Sequence, residues 1–216
     1  MYLSRMVLDV QNRRTMQAFV NPNLFHGAVE SAFCGERKRN LWRIDTLNGQ
    51  YYLLLLSEEK PDLSDAVKQF GYADTSPAWQ TKAYEMLLDR ITDESIWQFR
   101  LTANPTKACK SSTSDSRGKV HAHVSVQHQK NWLLQRAERC GFSLSEEDFT
   151  VVHTRWYQFR KGNSNHMVSL LSVTYEGILT VTDKERFRKT LIEGIGREKA
   201  YGMGLLTVVG GMKANE

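Results

Sequence analysis

Residues 194–206 read GIGREKAYGMGLL, and this stretch sets how the end of the chain folds. Four glycines fall within eleven residues: Gly194, Gly196, Gly202 and Gly204. Glycine adopts positive φ angles at little cost, and exposed backbone N–H groups together with the cations Arg197 and Lys199 suit a phosphate. A helical pattern precedes the stretch and an apolar strand follows it, which is the reverse of the order in a P-loop or a dinucleotide-binding motif. The stretch is therefore either a phosphate-contacting loop or a tight helix-to-strand connection.

The second half of the chain, which this stretch closes, has the element order β-α-β-β-α-β. Apolar alternation, amphipathic spacing and turn residues predict these elements. They are a strand at 119–126, a helix at 130–140, strands at 151–160 and 166–181, a helix at 183–193 and a strand at 205–209. This order is the plan of the ferredoxin-like fold, whose open sheet face is available to RNA.

The first half of the chain repeats the same order without a repeated sequence. Asn48-Gly49 is a strong type I′ hairpin signal between two apolar runs. The predicted elements are a strand at 2–10, helices at 13–20 and 24–33, strands at 41–47 and 50–57, helices at 62–70 and 78–91, and a strand at 97–103. The sequence therefore predicts an α+β fold of two tandem ferredoxin-like (βαββαβ, RRM-like) domains, 1–105 and 106–216. A polar, flexible basic linker at 106–118 opens the second domain.

The positive charge of the chain is concentrated in its second half. The 216 residues carry 29 Lys and Arg against 24 Asp and Glu, a net charge of +5, and the excess lies entirely after residue 104. A basic surface on one half indicates a polyanion such as nucleic acid, although a basic protein without such a partner has the same composition.

Several function classes do not fit the composition. No apolar run approaches the ~20 residues that a membrane span needs, and the strand-like N-terminus does not resemble a signal peptide. Cys34, Cys109 and Cys140 form no C-x-x-C pair, so a zinc site or a disulfide framework is not expected. These features predict a cytoplasmic location and no membrane partner.

Six histidines could carry chemistry. His121 and His123 alternate on a predicted strand near His128, but no carboxylate or Cys pattern completes a metal site, and an exposed basic strand beside RNA explains them better. His26 lies at the edge of the apolar face of its helix. There it either packs against the core or faces a functional site.

The motif GIGxxKAxGxGLL, together with MYLSR at 1–5, LWRID at 41–45 and RLTANP at 100–105, resembles the CasE family. These pieces span nearly the whole chain in the same order. CasE proteins are CRISPR-associated repeat endoribonucleases of the type I-E Cascade complex. The resemblance implies cleavage of CRISPR precursor RNA at the base of the repeat stem-loop and retention of the mature guide RNA. It also implies no cofactor or metal, no small-molecule ligand, and two kinds of partner, the repeat stem-loop and other Cascade subunits.

The resemblance also implies that His26 is the catalytic histidine. The family's reaction is attack by the 2′-hydroxyl next to the scissile phosphate, which gives a 2′,3′-cyclic phosphate and a 5′-hydroxyl. Histidine can transfer protons near neutral pH, but one histidine does not identify the acid or the base. The family has a tyrosine three residues before this histidine. Asn23 stands there instead, and an asparagine side chain can act neither as an acid nor as a base.

RNA binding is expected to use the basic residues of the second half, because double-stranded RNA is recognised mainly by shape and backbone. In the family, a basic hairpin of the second domain engages the stem-loop. Arg37 and Lys38 could instead stabilise the phosphate from the end of the His26 helix. The candidates, each of which could also be an ordinary solvated cation, are Arg37, Lys38, Lys107, Lys110, Arg117, Lys119, Arg155, Arg160, Lys161, Arg197 and Lys199.

Two other functions stay open from the sequence. One is a tandem ferredoxin-like protein that binds RNA without cutting it, with His26 in a structural role. The other is a metal-dependent nuclease, against which the lack of clustered carboxylates counts.

Overall fold

The structure is a computed structural model that describes residues 1–35, 38–72, 76–109, 120–160 and 167–213. The strands are β1 Tyr2–Leu8, β2 Leu41–Leu47, β3 Gln50–Ser57, β4 Trp79–Ala83, β5 Ser95–Ala103, β6 Thr106–Ala108, β7 Val120–Ala122, β8 Phe142–Ser143, β9 Phe149–Arg160, β10 Met167–Val181 and β11 Leu206–Lys213. The helices are α1 Arg13–Val20, α2 Asn23–Ser31, α3 Ser64–Phe70, α4 Glu85–Leu88, α5 Val126–Ala137 and α6 Lys184–Glu193. Short 3-10 turns lie at Glu138–Cys140 and Lys199–Tyr201.

The first unit consists of β1 to β4 with α1 to α3, and its sheet has the order β2-β3-β1-β4. All neighbouring strands are antiparallel, and β1 pairs with both β3 and β4. The hairpin between β2 and β3 turns at Asn48 and Gly49, whose φ angles of 50° and 75° are those of the predicted turn. The unit is therefore a βαββαβ fold.

The prediction of a helix over 78–91 was wrong. Residues 79–83 form β4, which pairs with β1, and only Glu85–Leu88 is helical. β4 is an edge strand without a buried side chain, so it lacks the apolar alternation that identifies a half-buried strand.

The second unit consists of β5, α5, β9, β10, α6 and β11. β5 pairs with β10 and β11, and both β9 and β8 pair with the other edge of β10. The order β11-β5-β10-β9 matches the order β4-β1-β3-β2 of the first sheet. The prediction of two tandem ferredoxin-like units is therefore confirmed.

The strand predicted at 97–103 was assigned to the wrong unit, because β5 is a central strand of the second sheet. The strand predicted at 119–126 is also different. Residues 120–122 form β7, which pairs with β6 in a small separate ladder, and α5 starts at Val126. β6 in turn occupies the start of the predicted linker. Strand pairing thus favours a division between Ala83 and Ser95, and we propose this division in place of the one at 105.

The units share apolar packing. Leu41 and Leu56 of the first sheet lie in one cluster with Leu101 and Val208 of the second, and all four are at most 4% exposed. A second cluster around Phe25, Trp42 and Phe70 fills the first unit. Within the described residues, no helix has the length and apolarity needed to cross a bilayer.

Candidate functional site

The glycine-rich stretch, residues 194–206, lies at the junction of the two units. Its four glycines have φ angles between 73° and 91°. A Cβ atom on Gly202 would lie 2.8 Å from the Trp42 ring of the first unit, and one on Gly196 would lie 3.1 Å from the Trp132 ring of the second. Glycine is therefore required at Gly202 both by the backbone conformation and by the space available.

Backbone hydrogen bonds fix the path of the stretch. The Gly204 N–H donates to the Thr102 carbonyl at 2.6 Å, and the Ile195 N–H donates to the Gly204 carbonyl at 2.9 Å. The Lys199 ammonium donates to the Glu193 carbonyl at the end of α6. Burial, and then the nearby Arg39 charge, lowers the pKa of Lys199. Lys199 is thus bonded within the fold, whereas Arg197 is exposed.

A buried arginine ties the end of the stretch to the first sheet. The Arg43 side chain is 2% exposed and forms an ion pair with Asp45 at 2.6 Å. Its Nη1 donates to the carbonyls of Arg100 at 2.9 Å and Leu205 at 2.8 Å, and its Nη2 donates to the Thr207 hydroxyl. One side chain of β2 therefore holds β5 and the start of β11.

His26 lies on α2, where it faces the stretch. The Asn23 N–H donates to the Asn21 side-chain oxygen at 3.3 Å just before the helix, whose N-cap residue is Pro22. The His26 side chain is 17% exposed, and its Nδ1 lies 4.0 Å from a carboxylate oxygen of Glu30. The ring of Tyr201 lies edge-on to the imidazole, with 6.5 Å between centroids. The fold therefore brings the first unit's candidate histidine to the last loop of the chain.

Tyr201 was not among the candidate residues from sequence. It is 8% exposed and packs in a small cluster with Phe159, Leu170 and Met203. Burial, and then the Glu198 carboxylate, raises the pKa of its phenol. The only sequence signal for Tyr201 was its position inside the glycine-rich motif.

The described candidate cations lie on different elements and have different partners. Lys38 forms ion pairs with Glu59 at 2.8 Å and Glu58 at 3.2 Å, and hydrogen bonds to these carboxylates raise its pKa. Lys107 is exposed on β6, opposite His121 of β7. On β9, the Arg155 guanidinium lies 4.9 Å from the Tyr157 ring centroid, and Arg160 is exposed at the strand end. The remaining candidates lie outside the described residues: Arg37, Lys110, Arg117, Lys119 and Lys161.

The histidines near β7 form a pair. The His123 and His128 rings stack with 5.7 Å between centroids, and His128 Nδ1 lies 2.7 Å from the Ser125 hydroxyl. Burial, and then the charges of His128, Lys107 and Arg136, lowers the pKa of His123. Among the described residues, no three His, Cys, Asp or Glu side chains cluster closely enough to hold a metal ion.

A cleft of about 980 Å³ lies between the units. Its lining includes Phe25 of α2, Tyr201 and Gly202 of the stretch, and polar residues of the second sheet such as Arg100 and Thr174, but not His26. We therefore take the His26–Tyr201 pair, rather than the cleft, as the candidate reaction centre, because it places a proton-transferring group against the glycine-rich stretch.

A model of the family described as CRISPR associated protein matches residues 1–209. The chain belongs to this family. This CRISPR-associated protein is also similar to the CRISPR-associated endoribonuclease Cse3 of Thermus thermophilus. The two are 29% identical over 220 residues, which cover 96% of this chain and 99% of the relative.

Solved structures of relatives have the same fold. Thermus thermophilus Cse3 bound to an RNA representing a pre-cleavage complex is 25% identical, with 97% of this chain and 98% of that chain covered and a TM-score of 0.78. Cas6e from Escherichia coli K-12 is 19% identical, with coverage of 96% and 98% and a TM-score of 0.60, and this likeness concerns the fold alone.

Replacement of Gly202 by valine is expected to destabilise this CRISPR-associated protein by about 1–3 kcal/mol, the usual cost of a strained backbone position. The new side chain would also meet the Trp42 ring. Gly49→Val is the matched control, because Gly49 has a φ of 75° and nothing within 4 Å of an added Cβ. Denaturant unfolding should show the larger loss for Gly202→Val. Equal losses would mean that the contact with Trp42 does not constrain the loop.

Proposed function

We propose that this CRISPR-associated protein is an endoribonuclease that cuts CRISPR precursor RNA at the base of the repeat stem-loop and retains the mature guide RNA. The observation that carries the proposal is the approach of His26 to the glycine-rich stretch, in a chain similar over nearly its full length to an endoribonuclease. The partners proposed with it are the repeat stem-loop and other Cascade subunits. The proposed location is the cytoplasm, and three free cysteines fit a reducing compartment.

The proposed reaction needs a proton transfer and charge stabilisation at phosphate. The 2′-hydroxyl oxygen attacks the adjacent phosphorus, the 5′-oxygen leaves, and the products are a 2′,3′-cyclic phosphate and a 5′-hydroxyl. In this scheme, His26 either takes the proton of the 2′-hydroxyl or gives one to the 5′-oxygen. The exposed Arg197 of the stretch would stabilise the charge on the phosphate.

The experiment that tests the proposal is incubation with stem-loop repeat RNA in EDTA, followed by analysis of both product ends. We expect one cut at the base of the stem, a 2′,3′-cyclic phosphate and a 5′-hydroxyl. Tight binding without any cut would instead support the alternative of a non-cleaving RNA-binding protein. Asn23 favours that alternative, because it stands where the resembling family has a tyrosine. Loss of cutting in EDTA that is restored by a divalent metal would contradict a metal-independent reaction.

Neutralising Arg155 and Arg160 together is expected to weaken RNA binding and to reduce the salt dependence of the affinity. Removing one cation–phosphate interaction lowers the slope of log K against log salt by ~0.7–0.9, so the slope of the double Gln variant should fall by up to ~1.8. The control is a double Gln variant at Arg13 and Lys82, two exposed cations of the first unit. Equal slopes for the wild type and the Arg155/Arg160 variant would show that these residues do not bind RNA phosphates. Lys161, predicted with them, lies outside the described residues.

A further inference from the structure

We propose that Tyr201 is a positioning residue for His26, and that its ring, presented by the glycine-rich stretch, holds the imidazole in the orientation that proton transfer requires. This inference rests on the proposed function, because it assigns a partner to the catalytic histidine. It starts from the edge-on contact of the two rings, with 6.5 Å between centroids and an interplanar angle of 68°. Edge-to-face contacts at this separation are attractive and directional, so they favour one ring orientation over others.

Tyr201 is itself held firmly enough to orient another ring. The Phe159 ring packs against it edge-on at 5.0 Å, and Leu170 and Met203 complete the cluster. Its backbone N–H donates to the Glu198 carbonyl at 2.9 Å and so closes a tight turn. Glu198, the first residue of this turn, has a positive φ of 61°. Because both its ring and its backbone are held in place, Tyr201 can restrict the orientation of the imidazole that packs against it.

Trp42 sets the position of Tyr201 relative to His26. Its ring lies edge-on to Phe25, the neighbour of His26, with 5.9 Å between centroids. The same ring also packs closely against Gly202, the neighbour of Tyr201, because a Cβ atom added to Gly202 would lie only 2.8 Å from it. The helix that carries His26 and the loop that carries Tyr201 therefore lie against one buried side chain. This shared contact fixes their separation.

The orientation of the imidazole is also limited from its own helix. Glu30 lies one turn after His26, with a carboxylate oxygen 4.0 Å from Nδ1. A carboxylate on one side and an aromatic edge on another leave the imidazole few rotamers. The Tyr201 phenol stays protonated while a histidine titrates, because burial raises the pKa of the phenol from a value that is already near 10. The phenol therefore does not take up the proton that the imidazole accepts, and the contact that carries the positioning role is the one between the two rings.

The test compares Tyr201→Leu, which removes the ring, with Tyr201→Phe, which keeps it. Measured with saturating repeat RNA, single-turnover cleavage should fall about 10-fold for Tyr201→Leu, as expected for a small misplacement of a reacting group. It should stay within about 2-fold of wild type for Tyr201→Phe, and RNA affinity should be unchanged in both. The control is Tyr84→Leu, a buried tyrosine that is 3% exposed and belongs to another cluster. This control should lose stability, whereas its folded fraction should cut at the wild-type rate.

A second readout does not depend on cleavage. The His26 imidazole proton resonances should shift in Tyr201→Leu, because the variant has no aromatic ring current at that position, and should keep their wild-type positions in Tyr201→Phe. Unmoved His26 resonances in Tyr201→Leu, or a wild-type cleavage rate in that variant, would overturn the positioning role alone. An equal loss of cleavage in both variants would also overturn it, since the hydroxyl would then be the active group. A wild-type protein that binds but never cuts would overturn the proposed function, and the positioning role with it.

Discussion

Replacement of His26 by alanine is expected to lower the single-turnover rate of repeat RNA cleavage by at least ~10²-fold, the lower range for removal of a general acid or base. The side chain is 17% exposed and lies at the edge of the apolar face of α2, so its loss should cost less than ~1 kcal/mol of stability. RNA affinity should be retained, because the proposed binding cations Arg155 and Arg160 lie on β9. The same fold-change is expected with and without EDTA.

The His26 prediction requires melting temperature, RNA affinity and cleavage to be measured on one preparation. His153→Ala is a matched control, because His153 is an exposed histidine of β9 with no assigned role in binding or catalysis. A loss of activity that merely follows a loss of folded protein would support a structural role for His26. Full cleavage by His26→Ala would remove it from the mechanism and would direct attention to His121 or His123.

Replacement of Arg43 by alanine is expected to lower the free energy of unfolding by about 3–5 kcal/mol, the usual cost of breaking a buried ion pair by removing one partner. The variant would remove the guanidinium 2.6 Å from Asp45 and leave this carboxylate with only Arg100, at 3.3 Å. It would also free the carbonyls of Arg100 and Leu205. Because these acceptors lie in the second unit, the docking of the two units should weaken together with overall stability.

The Arg43 prediction is tested by denaturant unfolding against Arg186→Ala. Arg186 forms an ion pair with Asp183 at 3.0 Å, but its side chain is 64% exposed, so its loss should cost at most ~1 kcal/mol. Similar small losses for both variants would mean that the buried arginine does not hold the units together.

Local signals in the sequence predicted most of the elements correctly. Asn48-Gly49 forms the hairpin turn, and the Asp183 side chain accepts from the Arg186 N–H at the start of α6, as an N-cap should. Gly141, with a φ of 81°, ends the segment that follows α5. Each of these features depends on residues adjacent in the chain, so local sequence patterns are enough to place the ends of these elements.

The errors came from long-range pairing. The sequence of β5 is compatible with an edge position in the first sheet and with a central position in the second. Only its pairing with β10 and β11 shows that it belongs to the second sheet. β4 was missed because none of the side chains of this edge strand is fully buried, so the strand lacks a clear apolar alternation. The boundary between the two units lies between β4 and β5, so an error in either strand misplaces it.

The candidate site was only partly predictable for the same reason. The resemblance assigned His26, and the glycine spacing indicated a close approach of other groups. Which groups approach Gly202 and His26, namely Trp42 and Tyr201, depends on how the two units dock. Long-range contacts can also occupy a candidate residue. Lys38, which the sequence suggested for phosphate contact, forms ion pairs with Glu58 and Glu59.

The central claim is that this protein cuts RNA through the 2′-hydroxyl of its substrate. The most direct test is single-turnover cleavage in EDTA of repeat RNA with one 2′-deoxy substitution, placed before the cut position found by end mapping. The claim predicts that this RNA binds as tightly as the all-ribose RNA and is not cut, whereas the all-ribose RNA yields a 2′,3′-cyclic phosphate. Cleavage of the deoxy-substituted RNA at the same position, or a 3′-hydroxyl product from the all-ribose RNA, would contradict it.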